Sequence, residues 1–117
     1  MAEVLVDTDI FVDHLRGAAR IVVGQDVVHY CVITRAELFA GRAMEVDAIR
    51  ELLAPFREIE IDRLIAERAG RLRRERHVPM ADAIIAATAL ERELALVTRN
   101  VRDFDRIDGL MLQDRVR

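Results

Sequence analysis

The sequence contains no serine and no lysine, and all 18 of its basic residues are arginines. Without serine the chain cannot be a serine-nucleophile hydrolase, and without lysine it can form neither a Schiff base nor a P-loop. Its single cysteine, Cys31, excludes an intrachain disulfide and a cysteine-rich zinc site. These absences narrow the chemistry that is open to the chain.

Long apolar runs are also missing, and no segment reaches the length of a membrane-spanning helix. Glu3 and Asp7 stand where a signal peptide would carry basic residues. We therefore expect a cytoplasmic protein with no membrane partner. With 52% hydrophobic and 33% charged residues, the 117-residue chain has the composition of one globular domain over 1–117.

The net charge of −3 argues against nonspecific binding to duplex nucleic acid, which usually requires a strongly basic domain. It does not argue against an enzyme that reaches phosphate through a metal ion, because the cation can bridge two anionic groups.

Apolar strands alternate with helical segments along the chain. Val4-Leu5-Val6 predicts a buried first strand. Further strands are predicted at 27–33, 58–61 and 94–98, with a candidate fifth at 110–112. Helices are predicted at 9–17 (capped by Asp9), 18–23 (short), 34–41 (opened by Thr34), about 44–53, after Asp62, and 80–90. This alternation predicts a three-layer α/β/α domain with a central parallel sheet of four to five strands.

Four acidic residues should meet at the carboxyl edge of this sheet, where ligands bind in open parallel α/β folds. Asp7 follows the first strand, Glu37 the second and Asp103 the fourth. Asp82 lies at the start of the helix that leads into the fourth strand. Gathered carboxylates repel one another unless a hard cation lies among them, and oxygen ligands favour Mg²⁺ or Mn²⁺ over zinc.

Each acid also has a local explanation. Asp7 and Asp103 could be turn residues, and Asp82 could simply favour a helix N-terminus. Thr34-x-x-Glu37 matches a capping box, in which the glutamate would bond back to its own helix start. Asp105 is an alternative to Asp103 for the role in the site, and we interpret Asp105 as a solvated loop charge. The three histidines, His14, His29 and His77, are too scattered to suggest a metal site.

Four segments, in this order, resemble the PIN-domain ribonucleases, and among them the VapC-type toxins of type II toxin–antitoxin systems: 5–9, 33–41, 82–89 and 96–104. The resemblance implies a PIN-like fold. It implies metal ligation or water activation by Asp7, Glu37, Asp82 and Asp103. Thr8, Asp9, Thr98 and Asn100 would orient those carboxylates. Asp9 stands where the family often has Asn or Ser, and we expect it to cap the helix.

The function implied by the resemblance is metal-dependent endonucleolytic cleavage of single-stranded or loop RNA by a toxin. Its cofactor would be Mg²⁺ or Mn²⁺, and its partners an RNA substrate, a cognate antitoxin and a second copy of the chain. Arg99 and Arg102 are the arginines best placed to contact substrate. The run Arg71, Arg73, Arg74 and Arg76 is a further candidate, although it could equally form a solvated helix face with Glu67 and Glu75.

Three alternatives stay open at this point. The chain could be a housekeeping PIN nuclease of ribosomal RNA processing, although its small size favours the toxin. It could be a catalytically silent PIN-like module, against which the four acids argue. A receiver-like phosphoacceptor domain also carries acids at strand ends, but it needs a lysine that this chain lacks.

Overall fold

A five-stranded, all-parallel sheet forms the centre of the computed structural model, which describes residues 2–41 and 45–117. The strands are β1 (Glu3–Val6), β2 (Val27–Cys31), β3 (Arg57–Ile59), β4 (Ala95–Val97) and β5 (Leu112–Gln113). They lie in the order β3-β2-β1-β4-β5. The first strand is therefore central, with the next two strands on one side and the last two on the other.

Helices cover both faces of this sheet. They are α1 (Thr8–Leu15), α2 (Val32–Ala40), α3 (Val46–Leu53), α4 (Arg63–Arg76), α5 (Met80–Glu91) and α6 (Val101–Phe104). The predicted α/β class, three layers and parallel sheet are confirmed. Among the described residues, no helix is long and apolar enough to span a membrane.

The central strand is buried on both faces, as expected for a parallel sheet between helical layers. Val4 and Val6 pack with residues of α1, α2 and α3. Leu5, whose side chain points to the opposite face, packs with residues of α4 and α5. Because the strand is held from both sides, the position of the residue that follows it, Asp7, is rigidly defined.

Two helices start earlier than the sequence predicted. The N-cap of α1 is Asp7, whose side chain accepts a hydrogen bond from the Thr8 amide, so the prediction that Asp9 caps this helix was wrong. The N-cap of α2 is Cys31, so the prediction that Thr34 opens it was also wrong. In both places the helix begins directly at the strand end. The cap of α1 is still a polar residue, whereas Cys31 makes no side-chain hydrogen bond to the start of α2.

The predicted short helix at 18–23 was wrong, because these residues form a loop. Gly17 leaves α1 with φ of +74°, and the Ile21 amide donates to His14 Nδ1 at 3.1 Å, which fixes the loop without helical bonds. The helix predicted at about 44–53 is α3, although Met44 lies outside the described residues. The short helix α6 was not predicted.

The C-terminal residue packs against the loop that leads into β2. The Arg117 amide donates to Asp26 Oδ2 at 2.7 Å, and the Arg117 carbonyl accepts from the Asp26 amide at 2.6 Å. Gly24 lies so close that an added Cβ would come within 2.8 Å of the Arg117 carbonyl carbon. A side chain at Gly24 would therefore displace the C-terminal residue.

Candidate active site

The order of the strands creates a crevice beside β1. The chain moves from β1 outward to β2 and β3, and then crosses to β4 on the other side of β1. The connections that follow β1 and β4 therefore diverge at the carboxyl edge, which is where open α/β sheets bind ligands. Asp7 and Thr98 follow these two strands, and the Asp7 amide donates to the Val97 carbonyl at 2.9 Å.

A pocket of about 240 Å³ lies in this crevice. Its lining includes Asp7, Thr8, Asp9, Glu37, Asp82, Arg99 and Asn100. A larger groove of about 750 Å³ adjoins it and contains Asp82, Asp103 and Arg102. Three of the four predicted acids thus line one pocket, and the fourth lines a groove that shares Asp82 with it.

Asp7 is the most buried acid of the site, with 4% of its surface exposed. Its Oδ1 accepts from the Thr8 amide at 2.8 Å and its Oδ2 from the Thr98 hydroxyl at 2.8 Å. Burial, followed by the nearby charge of Asp9, raises the pKa of Asp7 to about 7, against the effect of the two hydrogen bonds. A bound cation would reverse this shift by favouring the carboxylate.

The hydroxyl of Thr98 holds Asp7 in place. It donates to Asp7 Oδ2 and accepts from the Asn100 amide at 3.0 Å, and the threonine is almost completely buried. A hydroxyl has one proton and two lone pairs, so both contacts can form together. Asn100 thus contacts Thr98 through its backbone amide, and Asn100 also lines the pocket.

Glu37 turns toward the crevice rather than toward its own helix start. Its Oε1 accepts from Thr8 Oγ1 at 2.7 Å, and Thr8 Oγ1 lies 2.9 Å from the buried Thr34 Oγ1. Because Thr8 gives its single proton to Glu37, Thr34 must donate to Thr8. The capping-box explanation is therefore wrong. The contribution of Thr34 was missed, because its spacing to Glu37 matches a helix-start pattern.

Asp9 is a largely buried carboxylate with one unpaired oxygen. Its side chain is 11% exposed, and its Oδ2 accepts from the Arg99 amide at 3.0 Å. Its Oδ1 is buried and has no hydrogen-bond partner among residues 2–41 and 45–117. Arg99 Nε lies 3.8 Å from Asp9 Oδ2 and 3.3 Å from Asp13 Oδ2. Burial raises the pKa of Asp9, and the backbone and charge of Arg99 oppose the shift.

Asp82 lines both the pocket and the groove. It is partly buried in the first turn of α5, and burial raises its pKa, followed by the charges of Asp103, Glu37 and Asp9. The acids therefore influence one another even though the described structure shows no hydrogen bond from Asp82 to them. Asp105, the rival of Asp103, is exposed and lines the outer groove.

The donor set fits a hard divalent cation. The atoms that the four acids offer to a metal ion are all carboxylate oxygens, and the buried Asp9 Oδ1 adds an oxygen without a hydrogen-bond partner nearby. As they stand, no three acidic, histidine or cysteine side chains within the described ranges are grouped closely enough to hold a metal ion. Carboxylates repel one another when no cation lies between them, and two of the four acids, Glu37 and Asp103, are exposed.

Comparisons of the sequence and of the structure with known proteins agree with one another. The PIN domain family matches residues 4–110. Ribonuclease VapC10 of Mycobacterium tuberculosis is 38% identical over 92% of this chain and 90% of its own length. A toxin-antitoxin complex from Klebsiella pneumoniae is similar in structure, with 32% identity, a TM-score of 0.75, and coverage of 97% of this chain and 99% of the matched one.

A second solved structure, the VapBC-5 toxin-antitoxin system of Mycobacterium tuberculosis, has 29% identity and a TM-score of 0.70 over 95% of this chain and 94% of the matched one. The family match spans both halves of the chain and includes Asp7, Glu37, Asp82 and Asp103. This protein therefore belongs to the PIN domain family and, within it, to the VapC-type members.

Proposed function

We propose that this protein is a metal-dependent endoribonuclease that cleaves single-stranded or loop RNA and acts as the toxin of a toxin–antitoxin pair. The observation that carries the proposal is the buried Asp7 carboxylate at the strand crossover, with Glu37 and Asp82 in the same pocket. A fold does not need a buried acid with a pKa near 7, because its charged form is destabilising. Such groups concentrate at functional sites.

In this proposal Asp7, Glu37, Asp82 and Asp103 hold Mg²⁺ or Mn²⁺. The bound ion would polarise a phosphodiester and activate water for in-line attack. Thr98 and Thr8 fix the orientation of Asp7 and Glu37 through the hydrogen bonds described above. Asn100 supports Thr98, and Asp9 adds negative charge that strengthens the attraction for a cation.

The relatives support the substrate and the partner in this proposal. The curated relatives are named ribonucleases, and RNA cleavage needs the phosphate chemistry that this donor set would support. Arg99 and Arg102 lie beside the acids, where a guanidinium can bind a phosphate. The structural neighbours are toxin–antitoxin complexes, which supports an antitoxin partner. We also propose that two copies of this chain form a homodimer.

The direct test is cleavage of a single-stranded RNA by the purified full chain. We expect cleavage that requires Mg²⁺ or Mn²⁺, and loss of at least about a thousandfold in rate for Asp7→Asn and Asp82→Asn, because each removes a charge that holds the ion. Isothermal calorimetry should show weaker Mg²⁺ binding by both variants. Asp47→Asn is the matched control, since that aspartate is 91% exposed on α3.

Full RNA cleavage by Asp7→Asn would contradict the proposed site. A chain that binds Mg²⁺ but leaves every RNA uncut would instead support the silent module. Growth arrest on expression, relieved by co-expression of the product of the neighbouring gene, separates a toxin from a housekeeping nuclease, whose expression would not be toxic in this manner.

A further inference from the structure

The groove next to the acids has its own set of arginines. Arg76, Arg102 and Arg106 line it together with Asp82 and Asp103. Its volume of about 750 Å³ is roughly three times that of the pocket of about 240 Å³ that contains Asp7. A substrate longer than the reacting phosphate must extend beyond the small pocket, and this groove shares the lining residue Asp82 with it.

The arginines that flank the acids differ in their ion pairing. Arg99 is held by two carboxylates, with its Nε 3.3 Å from Asp13 and 3.8 Å from Asp9. Arg76 is held by Asp108 at 3.0 Å. By contrast, Arg102 and Arg106 are exposed, and within the part of the chain that the structure describes neither forms an ion pair. Their guanidinium groups are therefore free to bind an anion.

The local structure presents these two arginines together. They are four residues apart along α6 and the turn that follows it, a spacing that places side chains on one side of a helical segment. Phe104 and Ile107 are buried and anchor this segment to the core, with 1% and 5% of their surface exposed. The backbone under Arg102 and Arg106 is thus fixed, while their side chains reach into the groove.

We propose that single-stranded RNA leaves the acidic pocket along this groove, with Arg102 and Arg106 binding phosphates that flank the cleaved bond. This inference rests on the proposed ribonuclease function. They are positioning residues, because they bind the strand and not the reacting group. Glu75 and Asp105 also line the groove, and the charge of Glu75 is offset by Arg74, whose Nη2 is 3.9 Å away. The charge of Arg99 is partly offset by its contacts with Asp9 and Asp13.

Binding of a short fluorescent single-stranded RNA tests this directly. The assay uses the full chain carrying Asp7→Asn, so that the RNA stays intact, and follows fluorescence anisotropy over a series of salt concentrations. We expect Arg106→Ala and Arg102→Ala each to weaken binding about tenfold, since each removes a charged hydrogen bond. Each should also lower the slope of log K against log salt by about 0.7, which is the loss of one phosphate contact to a single strand.

Arg63→Ala is the matched control. This arginine is exposed and starts the 14-residue α4 at the end opposite to Arg76, about 20 Å from the groove along the helix. It removes the same charge, so affinity and slope should not change. In the otherwise unmodified enzyme, Arg106→Ala should raise KM for RNA and leave kcat unchanged, which a merely structural effect would not do.

Unchanged affinity and slope in both groove variants, in a chain whose unmodified form cleaves RNA, would overturn the groove proposal and leave the function standing. The same anisotropy measurement with a fluorescent glutamate-rich peptide tests the groove as a protein-docking surface. If Arg102→Ala and Arg106→Ala lose peptide binding and bind RNA normally, the RNA proposal is wrong and the groove docks a protein. If the unmodified chain neither binds nor cleaves RNA, both proposals fail.

Discussion

Replacing Asp7 by asparagine should make the metal-free protein more stable while inactivating it. The pKa of Asp7 rises from its ordinary 3.8 to about 7 in the folded chain, because the side chain is buried beside Asp9. This rise corresponds to about 4 kcal/mol of unfavourable free energy for the charged form above pH 7. Asparagine is neutral and carries no such penalty.

The asparagine variant also loses the hydrogen bond from the Thr98 hydroxyl. Its side-chain oxygen can still accept from the Thr8 amide, but its NH₂ group would face the Thr98 hydroxyl, which now donates to Asp7 Oδ2. Rearranging this buried bond should cost about 1–2 kcal/mol. The expected net gain is therefore roughly 2 kcal/mol at pH 8 without metal, or about 8 °C in Tm for a domain of this size.

The pH dependence identifies the cause. Between pH 3.8 and about 7 the folded wild type keeps a proton on Asp7 that the unfolded chain releases, so its stability falls as pH rises through this interval. Asparagine does not titrate. Near pH 4 the charge penalty on the wild type is almost absent and only the cost of the rearranged hydrogen bond remains, so Asp7→Asn should be slightly less stable than the wild type there. Its net gain should appear as the pH rises and be complete above pH 7.

Thermal unfolding followed by circular dichroism in EDTA, at pH 5 and pH 8, measures both effects. Mg²⁺ should raise the Tm of the wild type more than that of Asp7→Asn, because the variant lacks one of the four carboxylates proposed to hold the ion. Asp47→Asn should behave as wild type throughout. A variant that melts below the wild type at pH 8, or gains equally at pH 5 and pH 8, would refute the reasoning.

Three further predictions concern other contacts. Thr8→Val removes the hydrogen bond to Glu37 and should weaken Mg²⁺ binding about 10- to 100-fold in calorimetry, while a conservative Thr8→Ser retains it. Thr98→Val leaves a buried Asp7 oxygen without its donor and should lower the free energy of unfolding by about 1–3 kcal/mol in urea. Gly24→Ala should destabilise by about 1–3 kcal/mol because its Cβ would collide with the C-terminal backbone, whereas Gly70→Ala, with nothing within 4 Å in a helix, should stabilise by about 0.5–1 kcal/mol.

Each of these has a contrary result. Equal Mg²⁺ affinity in Thr8→Val would mean that Glu37 needs no orienting partner. Wild-type stability in Thr98→Val would mean that the Asp7 oxygen finds another donor. If Gly24→Ala and Gly70→Ala change stability alike, the close approach at Gly24 has no energetic weight.

The sheet could be predicted because its signals are local and redundant. Val4-Leu5-Val6 is apolar on both faces, which is required of a strand between two helical layers. Once the strands are parallel, the acids that follow them must share one edge. The positions of Asp7 and Glu37 near each other follow from topology, and the Thr8 hydroxyl that joins α1 to Glu37 is consistent with that placement.

Helix starts and side-chain partners could not be predicted in the same way. Asp7, Thr8 and Asp9 are all good N-cap residues, so composition cannot choose among them, and the pairing of β1 decides for Asp7. Likewise, the loop at 18–23 is fixed by a bond from Ile21 to a histidine ring, which has no signature in a single sequence. The ion pair of Arg99 with Asp13 depends on two segments far apart in the chain.

That Asp7 is both the cap of α1 and the innermost acid of the pocket has a consequence for mutagenesis. Alanine there would take away the acceptor for the Thr8 amide, at about 1 kcal/mol, together with the charge. An inactive alanine variant could then reflect a frayed helix as easily as a lost ligand. Because asparagine retains the acceptor, it is the substitution at this position that separates chemistry from folding.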